Sequence, residues 1–298
     1  MTAHAASEPP PLVVIVGPTA SGKTELAVRW AEAHNGEIVS ADSVQVYRHF
    51  DIGTGKPSAD ELVRARHHLI DVLEPSEPMD AALWAEQAER AITDIRARGR
   101  EPVVCGGTFL WVKALLFGLA GAPPASADIR ARHRERAERE GRAVLHAELA
   151  QVDPASAARL APNDFVRVSR ALEVFEQSGI PLSQFHAEHG FRAPRYTARL
   201  IGVRREAAEL DQRIEARARA MFAAGWLDEV RTLLAAGHAG ARAMSAVGYK
   251  QLAAAISTEA PLELESLTMS VVRATRIFAR RQRTWLRDQS VEWVAPVP

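Results

Sequence analysis

Short apolar runs recur along this chain and alternate with stretches of helical periodicity. The runs that predict strands are Leu12–Val16, 37–40, 68–72, 102–105, 197–203 and Val291–Val294. The stretches that predict helices are 25–33, 80–98, Phe109–Phe117, 205–224, 227–236 and 262–288. Strands separated by helices in this way are typical of βαβ units, so the pattern predicts a parallel sheet flanked by helices.

The middle of the chain interrupts this alternation. Glycine and proline punctuate residues 118–124, and residues 128–188 are helical in pattern without a convincing strand. Such punctuation is typical of a boundary between folded segments. We therefore expect an α/β core formed by 12–120 and 190–298, an inserted all-helical subdomain at 121–189 and a disordered tail at 1–11.

The end of the first apolar run carries the clearest candidate chemistry. The run is followed by Gly17, Pro18, Thr19, Ala20, Ser21, Gly22, Lys23 and Thr24, and then by a helical pattern. The glycines allow a tight turn that aims backbone N–H groups inward at the N-terminus of the helix. Lys23 would add a point charge, and the Thr24 hydroxyl could hold Mg²⁺. We call 17–24 the phosphate loop, because this arrangement predicts the binding of a di- or triphosphate.

Other candidates follow the later strands, because ligands of parallel sheets bind beyond the carboxyl ends of the strands. Asp42 could be a general base or a metal ligand, or it could be only a turn or N-cap residue. Asp71 is a weaker candidate of the same kind. Gly106 and Gly107 would permit close approach to a ligand beside the Thr108 hydroxyl, although Thr108 could also serve as a helix N-cap.

Arginines offer two further patterns. Arg213 and Arg217 are four residues apart, so one helix face could present two guanidiniums to a diphosphate. The alternative is that they are solvated or paired with neighbours such as Glu209. The segment 273–287 has six arginines and no acidic residue, which favours a polyanion such as RNA. In 128–142, by contrast, arginines and acids alternate, which is typical of a solvated helix face.

Composition narrows the class of protein. Lys plus Arg and Asp plus Glu are 37 each, so attraction to a polyanion must come from local patches. The single cysteine, Cys105, excludes an intramolecular disulfide and indicates a reducing compartment. No stretch reaches the ~18 apolar residues of a membrane span, and 1–11 lacks the features of a signal peptide. We expect a cytoplasmic protein without a membrane partner.

Six sequence blocks run in order across nearly the whole chain: 17–24, 42–43, 51–57 (DIGTGKP), 106–108, 170–174 (RALEV) and 247–249 (VGY). Together they resemble the tRNA dimethylallyltransferase family, of the bacterial type. One phosphate loop would be shared with many nucleotide-binding proteins, whereas six ordered blocks are highly specific. The resemblance implies a P-loop NTPase-like α/β fold and transfer of a dimethylallyl group from dimethylallyl diphosphate to N6 of the adenosine 3′-adjacent to the anticodon in tRNA.

The resemblance also implies roles for individual residues. The phosphate loop would bind the diphosphate with support from Arg217, Asp42 would be the general base with Thr108 beside it, and Mg²⁺ is the expected ion, at Thr24. The partner would be the tRNA anticodon stem-loop, and we expect a monomer. The residues placed against tRNA are Asp42, Ser43, Val44, Gln45, Thr108, Arg130, Val166, Arg167, Val168, Ser169, Arg170, Ser245, Ala246, Val247, Gly248, Tyr249 and Lys250.

Lys250 departs from the family pattern, which has arginine there. A lysine would keep a phosphate contact but could not form a bidentate one.

Two other functions fit the phosphate loop. A small-metabolite kinase could use Asp42 as the base for a hydroxyl and the helical insertion as a lid. An RNA-binding regulator could use a nucleotide only as a switch, and it would form no covalent product. Fold alone does not separate these functions, because the P-loop architecture hosts many reactions.

Overall fold

The computed structural model of the protein describes residues 10–258 and 261–296. Most of the predicted tail, at 1–9, lies outside the described residues. Within those ranges, no helix combines the length and the apolar character that crossing a bilayer requires.

The described residues form one six-stranded sheet in which every pairing is parallel. The strands are β1 (Leu12–Val16), β2 (Gly36–Ala41), β3 (His67–His68), β4 (Glu101–Gly106), β5 (Ala198–Val203) and β6 (Val291–Val294). Their spatial order is β3-β2-β4-β1-β5-β6. The prediction of a parallel sheet flanked by helices is confirmed.

This strand order creates a crevice at one edge of the sheet. The chain passes from β1 to β2 and β3 on one side, and after β4 it crosses to β5 on the other side of β1. Val16 pairs with Gly106, so the carboxyl ends of β1 and β4 lie side by side at this switch point. A Cβ at Gly106 would lie 2.2 Å from the carbonyl oxygen of Ala41, so only glycine permits this approach of β4 to β2.

Helices cover both faces of the sheet. Before the insertion these are α1 (Lys23–Ala33), α2 (Ala59–Arg64), α3 (Ala81–Ala97) and α4 (Phe109–Phe117). Helix α1 buries Ala27, Val28 and Ala31 in a cluster with Ile15 and Val103 of the sheet. Burying one large aliphatic side chain contributes about 1.5–3 kcal/mol, so the buried apolar residues of the strands supply much of the core's stability.

Two differences from the sequence prediction lie near β3. The predicted strand 68–72 is wrong beyond His68, because Leu69 and Asp71 have φ of 62° and 54° and turn the chain out of the sheet. Helix α2 was not predicted. Its signal is the capping box in which Ser58 accepts from the Glu61 N–H while the Glu61 side chain accepts from the Ser58 N–H.

Residues 117–194 form a separate compact unit made of helices. Its helices are α5 (Ala127–Glu140), α6 (Arg142–Val152), α7 (Pro154–Ala157), α8 (Phe165–Ser178) and α9 (Leu182–His189). Leu145, Leu149 and Leu172 lie in its apolar core. The unit begins four residues before and ends five residues after the range 121–189 that the sequence suggested.

After the insertion, the chain returns to the unit that contains the sheet. Its remaining helices are α10 (Ala207–Ala223), α11 (Trp226–Ala235), α12 (Tyr249–Ile256) and α13 (Leu264–Arg287), with short 3-10 helices at His238–Gly240 and Arg242–Ser245. Leu210 and Ile214 of α10 share a buried cluster with Val272 and Ala279 of α13 and with Ala20 of the phosphate loop. Helices α10 and α13 therefore pack together against the phosphate loop.

A buried carboxylate lies at the amino end of the sheet, on the side opposite the crevice. Glu37 of β2 is 1% exposed, and its Oε2 accepts hydrogen bonds from Arg98 at 2.8 Å and interacts with His68 Nε2 at 2.6 Å. The hydrogen bonds from Arg98, followed by that from His68, outweigh burial and lower the pKa of Glu37 from 4.5 to about 2. The ionised carboxylate is therefore part of the folded structure.

We predict that Glu37→Gln flattens the acid-induced loss of stability. Because the pKa of Glu37 is lower in the folded state, its contribution is fully present above pH 4.5 and disappears as the pH falls toward about 2. Denaturant unfolding from pH 7 to pH 2 should show a lower stability at pH 7, by roughly 2 kcal/mol, and a shallower pH dependence in the variant.

Glu292→Gln is the matched control, because Glu292 pairs with Arg199 on the surface with 49% of its side chain exposed. Exposed pairs contribute little, so its pH profile should follow the parent protein. An unchanged slope in Glu37→Gln would contradict the prediction.

Candidate functional site

A cavity of about 350 Å³ lies at the carboxyl edge of the sheet, within the unit that contains the sheet. It brings together residues from the ends of β1, β2 and β4 with α10, α13 and the segment before α12. We call it the edge cavity. The sequence-predicted residues that line it are Thr19, Ala20, Lys23, Thr24, Asp42, Ser43, Val44, Gln45, Gly106, Gly107, Thr108, Arg217, Ser245, Ala246, Val247 and Tyr249.

The phosphate loop folds into a tight turn at the bottom of this cavity. Ala20 and Gly22 have φ of 62° and 94°, and the Ser21 N–H donates to the Pro18 carbonyl at 3.3 Å. Helix α1 begins at Lys23, and its N-cap, Gly22, provides no side chain to cap the helix. The N-terminus of α1 therefore offers backbone donors and a positive dipole end to an anion.

Two cations line the edge cavity without a carboxylate partner. Neither Lys23 nor Arg217 forms an ion pair within the described residues, although Asp42 lies on the same cavity wall. Burial is the largest cause that lowers the pKa of the Lys23 ammonium, and it also lowers the pKa of the Arg217 guanidinium. Partly desolvated cations that form no ion pair favour an anionic ligand.

Asp42 forms a turn at the end of β2 and also lines the edge cavity. Its Oδ1 accepts from the N–H groups of Val44 at 2.9 Å and Gln45 at 3.3 Å, so it forms a turn at the end of β2. Within the described residues, Oδ2 has no hydrogen-bond partner, and the side chain lines the edge cavity. One carboxylate oxygen thus holds the backbone while the other remains available to a proton or a ligand.

Thr108 connects the ends of β2 and β4. Its hydroxyl accepts from the Ser43 N–H at 3.0 Å and donates to the Ser43 hydroxyl at 3.3 Å, while its own N–H donates to the Ala41 carbonyl. The hydroxyl therefore fixes the turn that carries Asp42. Asp71 lies elsewhere, in an ion pair with Lys56, and is not among the residues that line the cavity.

Three glycines make room for large side chains: Gly53 and Gly55 of the DIGTGKP segment, and Gly248. A Cβ at Gly53 or at Gly248 would lie 2.0 Å from the Trp226 ring, and one at Gly55 would lie 1.9 Å from an Arg217 guanidinium nitrogen. Trp226 is 2% exposed and lies between these segments. These two sequence blocks are therefore needed to seat Trp226 and Arg217 in the cavity wall.

Glu229 ties the same segments together. Its carboxylate accepts from the N–H groups of Asp51 at 3.0 Å and Ile52 at 2.7 Å, and from the Tyr249 hydroxyl. Burial, together with the nearby Glu229, raises the pKa of Tyr249, which therefore remains a neutral donor. No local pattern indicates Glu229, because Asp51 and Ile52 lie far from it along the chain.

Gln282 of α13 is a second residue that the sequence reasoning missed. Its Oε1 accepts from the Thr19 N–H at 2.8 Å, and its Nε2 donates to the Gly107 carbonyl at 3.1 Å. One amide thus joins the phosphate loop to the end of β4. The available signal was helical spacing, since Thr275, Phe278 and Gln282 all line the edge cavity from one face of α13.

The two arginine patterns differ in part from the sequence prediction. Arg217 faces the edge cavity, whereas Arg213 donates to the Ala20 carbonyl at 2.9 Å and is not among the lining residues. In the arginine-rich segment, Arg276 pairs with Asp211 and Glu215 of α10. The absence of acidic residues within 273–287 is therefore partly compensated from another helix.

The residues of the helical unit that the resemblance placed against tRNA are partly occupied within that unit. Arg130 and Arg170 both donate to Glu173, which is 0% exposed. Burial of Glu173 is outweighed by these hydrogen bonds, so its pKa is lowered. Val168 and Ser169 are buried, whereas Val166 and Arg167 are exposed. Within 166–170, Val166 and Arg167 are therefore the residues whose side chains are most available to contact another molecule.

The chain is similar to several known proteins over almost its whole length. The IPP transferase family model matches residues 45–289. A tRNA dimethylallyltransferase of Sorangium cellulosum is 62% identical over 287 residues, which cover 96% of this chain and 91% of that protein. The crystal structure of the full-length tRNA isopentenylpyrophosphate transferase of Bacillus halodurans has a TM-score of 0.70 at 36% identity, with 96% of this chain and 90% of that chain covered. The corresponding enzyme of Staphylococcus epidermidis has a TM-score of 0.68 at 35% identity, with coverages of 97% and 94%.

We predict that Gln282→Leu loosens the phosphate loop. The substitution keeps a similar volume but removes the partners of the Thr19 N–H and the Gly107 carbonyl, which should lower the free energy of unfolding by about 1–3 kcal/mol. Hydrogen exchange should become faster at the Thr19 amide. Gln184→Leu, at an exposed position in α9, is the control. Equal stability and equal Thr19 exchange in Gln282→Leu would show that the link is not needed.

Proposed function

This chain belongs to the IPP transferase family, and we propose that its edge cavity transfers the dimethylallyl group of dimethylallyl diphosphate to N6 of the adenosine 3′-adjacent to the anticodon in tRNA. The chain is an enzyme of the prenyltransferase class. Its product is N6-(dimethylallyl)adenosine in tRNA, and the second product is diphosphate.

The observation that carries the assignment of the site is the pair of unpaired cations beside a carboxylate. Lys23, Arg217 and the uncapped start of α1 favour a diphosphate, and Asp42 lies on the same cavity wall as both cations. A kinase would direct the same donors at a transferred phosphoryl group. In a prenyltransferase they stabilise the diphosphate that leaves from carbon.

The proposed reaction requires activation of both adenine N6 and the allylic diphosphate. The lone pair of adenine N6 is delocalised into the ring, so the amine is a poor nucleophile. As N6 bonds to the allylic carbon, the bond from that carbon to the diphosphate oxygen breaks, and the proton of N6 passes to Asp42. Such a base contributes about 10²–10⁴-fold to the rate.

The leaving group gains negative charge while the allylic carbon becomes cationic. Lys23, Arg217 and the N–H groups of the phosphate loop stabilise that negative charge from fixed positions. Preorganised donors of this kind are usually the largest contribution to catalysis. Thr108 acts by holding the turn of Asp42, since its hydroxyl is bonded to Ser43.

The Thr24 hydroxyl is suited to bind Mg²⁺ together with phosphate oxygens of the substrate. Within the described residues, no three His, Cys, Asp or Glu side chains cluster to hold a metal on their own. Mg²⁺ commonly binds through one or two protein ligands together with phosphate oxygens. Thr24 would hold the ion with the donor's diphosphate, and the ion would help to neutralise the leaving charge.

The tRNA would contact the segments 42–45 and 245–250, Thr108, Arg130 and 166–170, the last of these mainly through the exposed Val166 and Arg167. The target adenosine must leave the anticodon-loop stack to reach the donor, at a cost of a few kcal/mol that phosphate contacts can offset. The proposed enzyme acts as a monomer on tRNA in the cytoplasm.

The reaction is tested with purified protein, dimethylallyl diphosphate labelled in the prenyl group, and unmodified tRNA. Nucleoside mass spectrometry should find the prenyl group on N6 of the adenosine next to the anticodon. Phosphoryl transfer from ATP to an alcohol, with no prenylated nucleoside, would replace the proposal with a kinase.

We predict that Asp42→Ala binds tRNA within a few fold of the parent protein but loses turnover by at least about 10²-fold. Asp42→Asn separates the two roles of the side chain, because its amide oxygen can still accept from Val44 and Gln45 but cannot take the N6 proton. Single-turnover rates should fall in both variants. Asp71→Ala, which removes a carboxylate outside the cavity, should remain active. Near-normal turnover in Asp42→Asn would remove Asp42 from the role of base.

We predict that Lys23→Ala weakens binding of dimethylallyl diphosphate by about 10–100-fold, because a charge-assisted contact to the diphosphate is lost. Calorimetric titration of the donor measures this effect directly. Arg90→Ala removes a cation that pairs with Glu86 on the surface, and donor affinity should not change. Unchanged affinity in Lys23→Ala would contradict the assignment of the phosphate loop.

A further inference from the structure

Two arginines hold the phosphate loop from outside the edge cavity. Arg205 Nε donates to the Ser21 carbonyl at 2.7 Å, and Arg213 Nε donates to the Ala20 carbonyl at 2.9 Å. Neither arginine lines the edge cavity. We call this pair the outer clamp. It binds two consecutive carbonyls at the point where the loop makes its left-handed turn.

Arg205 is the enclosed member of the outer clamp, whereas Arg213 is exposed. The Arg205 side chain is only 9% exposed and also pairs with Glu209. A Cβ at Gly22 would lie 3.4 Å from an Nη of Arg205 and 4.0 Å from an Nη of Arg213. Both guanidiniums therefore lie directly against the last residue before α1.

Peptide geometry links these carbonyl contacts to the inner side of the loop. In a planar trans peptide, the C=O and the following N–H point in opposite directions. Holding the Ser21 carbonyl on the Arg205 side turns the Gly22 N–H to the other side. Ala20 has φ of 62°, a conformation that residues with a side chain rarely adopt. External hydrogen bonds to its carbonyl and to the next one stabilise that conformation.

Helix α10 contributes arginines to both sides of the loop. Arg213 binds the outer carbonyl, and Arg217, one turn later, lines the cavity. A shift of the helix would therefore move the inner cation and the loop backbone together. The spacing of four residues is what allows one helix to do both.

We propose that Arg205 and Arg213 are positioning residues for the donor diphosphate: Arg205 holds the Gly22 N–H toward the diphosphate, Arg213 supports the left-handed turn at Ala20, and neither touches the donor. The identity of the anion rests on the proposed function. The residues act through the backbone of Ala20 and Ser21, so their loss weakens diphosphate binding while leaving tRNA binding intact.

The test uses the full chain and inorganic pyrophosphate as the probe, with Mg²⁺ present. Arg213→Met, Arg205→Met and the double variant remove the hydrogen bonds but keep much of the aliphatic length. Calorimetry should show pyrophosphate affinity about 10-fold lower in each single variant, and lower again in the double variant. The KM for dimethylallyl diphosphate should rise by a similar factor, whereas the KM for tRNA should stay within twofold.

Lysine variants supply the rescue. Arg213→Lys and Arg205→Lys can still donate to one carbonyl, so their pyrophosphate affinity should lie between those of the parent protein and the methionine variants. Arg219→Met is the matched control, because Arg219 is on the same helix but pairs with Glu215 and Glu265 on the surface. It should bind pyrophosphate normally.

Thermal unfolding of every variant distinguishes positioning from general stability. If Arg205→Met does not fold, Arg213→Met decides the question, since Arg213 is exposed and its replacement leaves the packing intact. Pyrophosphate affinity within twofold of the parent protein in folded Arg213→Met would overturn the proposal. So would an equal loss in Arg219→Met. Pyrophosphate binding requires no transfer to tRNA, so the failure of the proposed reaction would be seen separately.

Discussion

The edge cavity depends on one constraint: the phosphate loop must present positive charge and backbone donors without a protein anion to neutralise them. Lys23 and Arg217 meet this condition, and α1 begins without a side-chain cap. Keeping two such cations together is unfavourable for the protein alone. The fold offsets this cost by holding the loop against the sheet on one side and against α10 and α13 on the other.

The hydrogen bonds around the loop come from residues far away along the chain. Gln282 joins Thr19 to Gly107, while Arg205 and Arg213 hold the carbonyls of Ser21 and Ala20. The loop therefore cannot reach its final geometry until the last third of the chain has packed. The sheet, the inner cations and the outer clamp are thus joined by hydrogen bonds and packing around the loop.

The side of the cavity that carries Asp42 is also held by hydrogen bonds between strand ends. Asp42 uses one oxygen to hold its own turn, and Thr108 fixes that turn from the neighbouring strand end. The Asp42 carboxylate is thus oriented by the backbone that carries it. Glu229 then connects the segment after this turn to Tyr249, so the far wall of the cavity is tied to the same frame.

The sequence by itself determined the strands, the phosphate loop and the family, because these depend on local composition and on ordered short motifs. β1, α4 and β6 have the bounds that the apolar pattern predicted, and Asp42 and Thr108 fall at strand ends as expected. The sequence could not place Arg213 outside the cavity, find Gln282 and Glu229, or show that the predicted strand after His68 turns away. Only the tertiary structure decided these points, because each depends on groups that are distant in sequence or on a backbone conformation imposed by packing. A side chain's type indicates which bonds it can make, but the partner is fixed only when the helices have packed on the sheet.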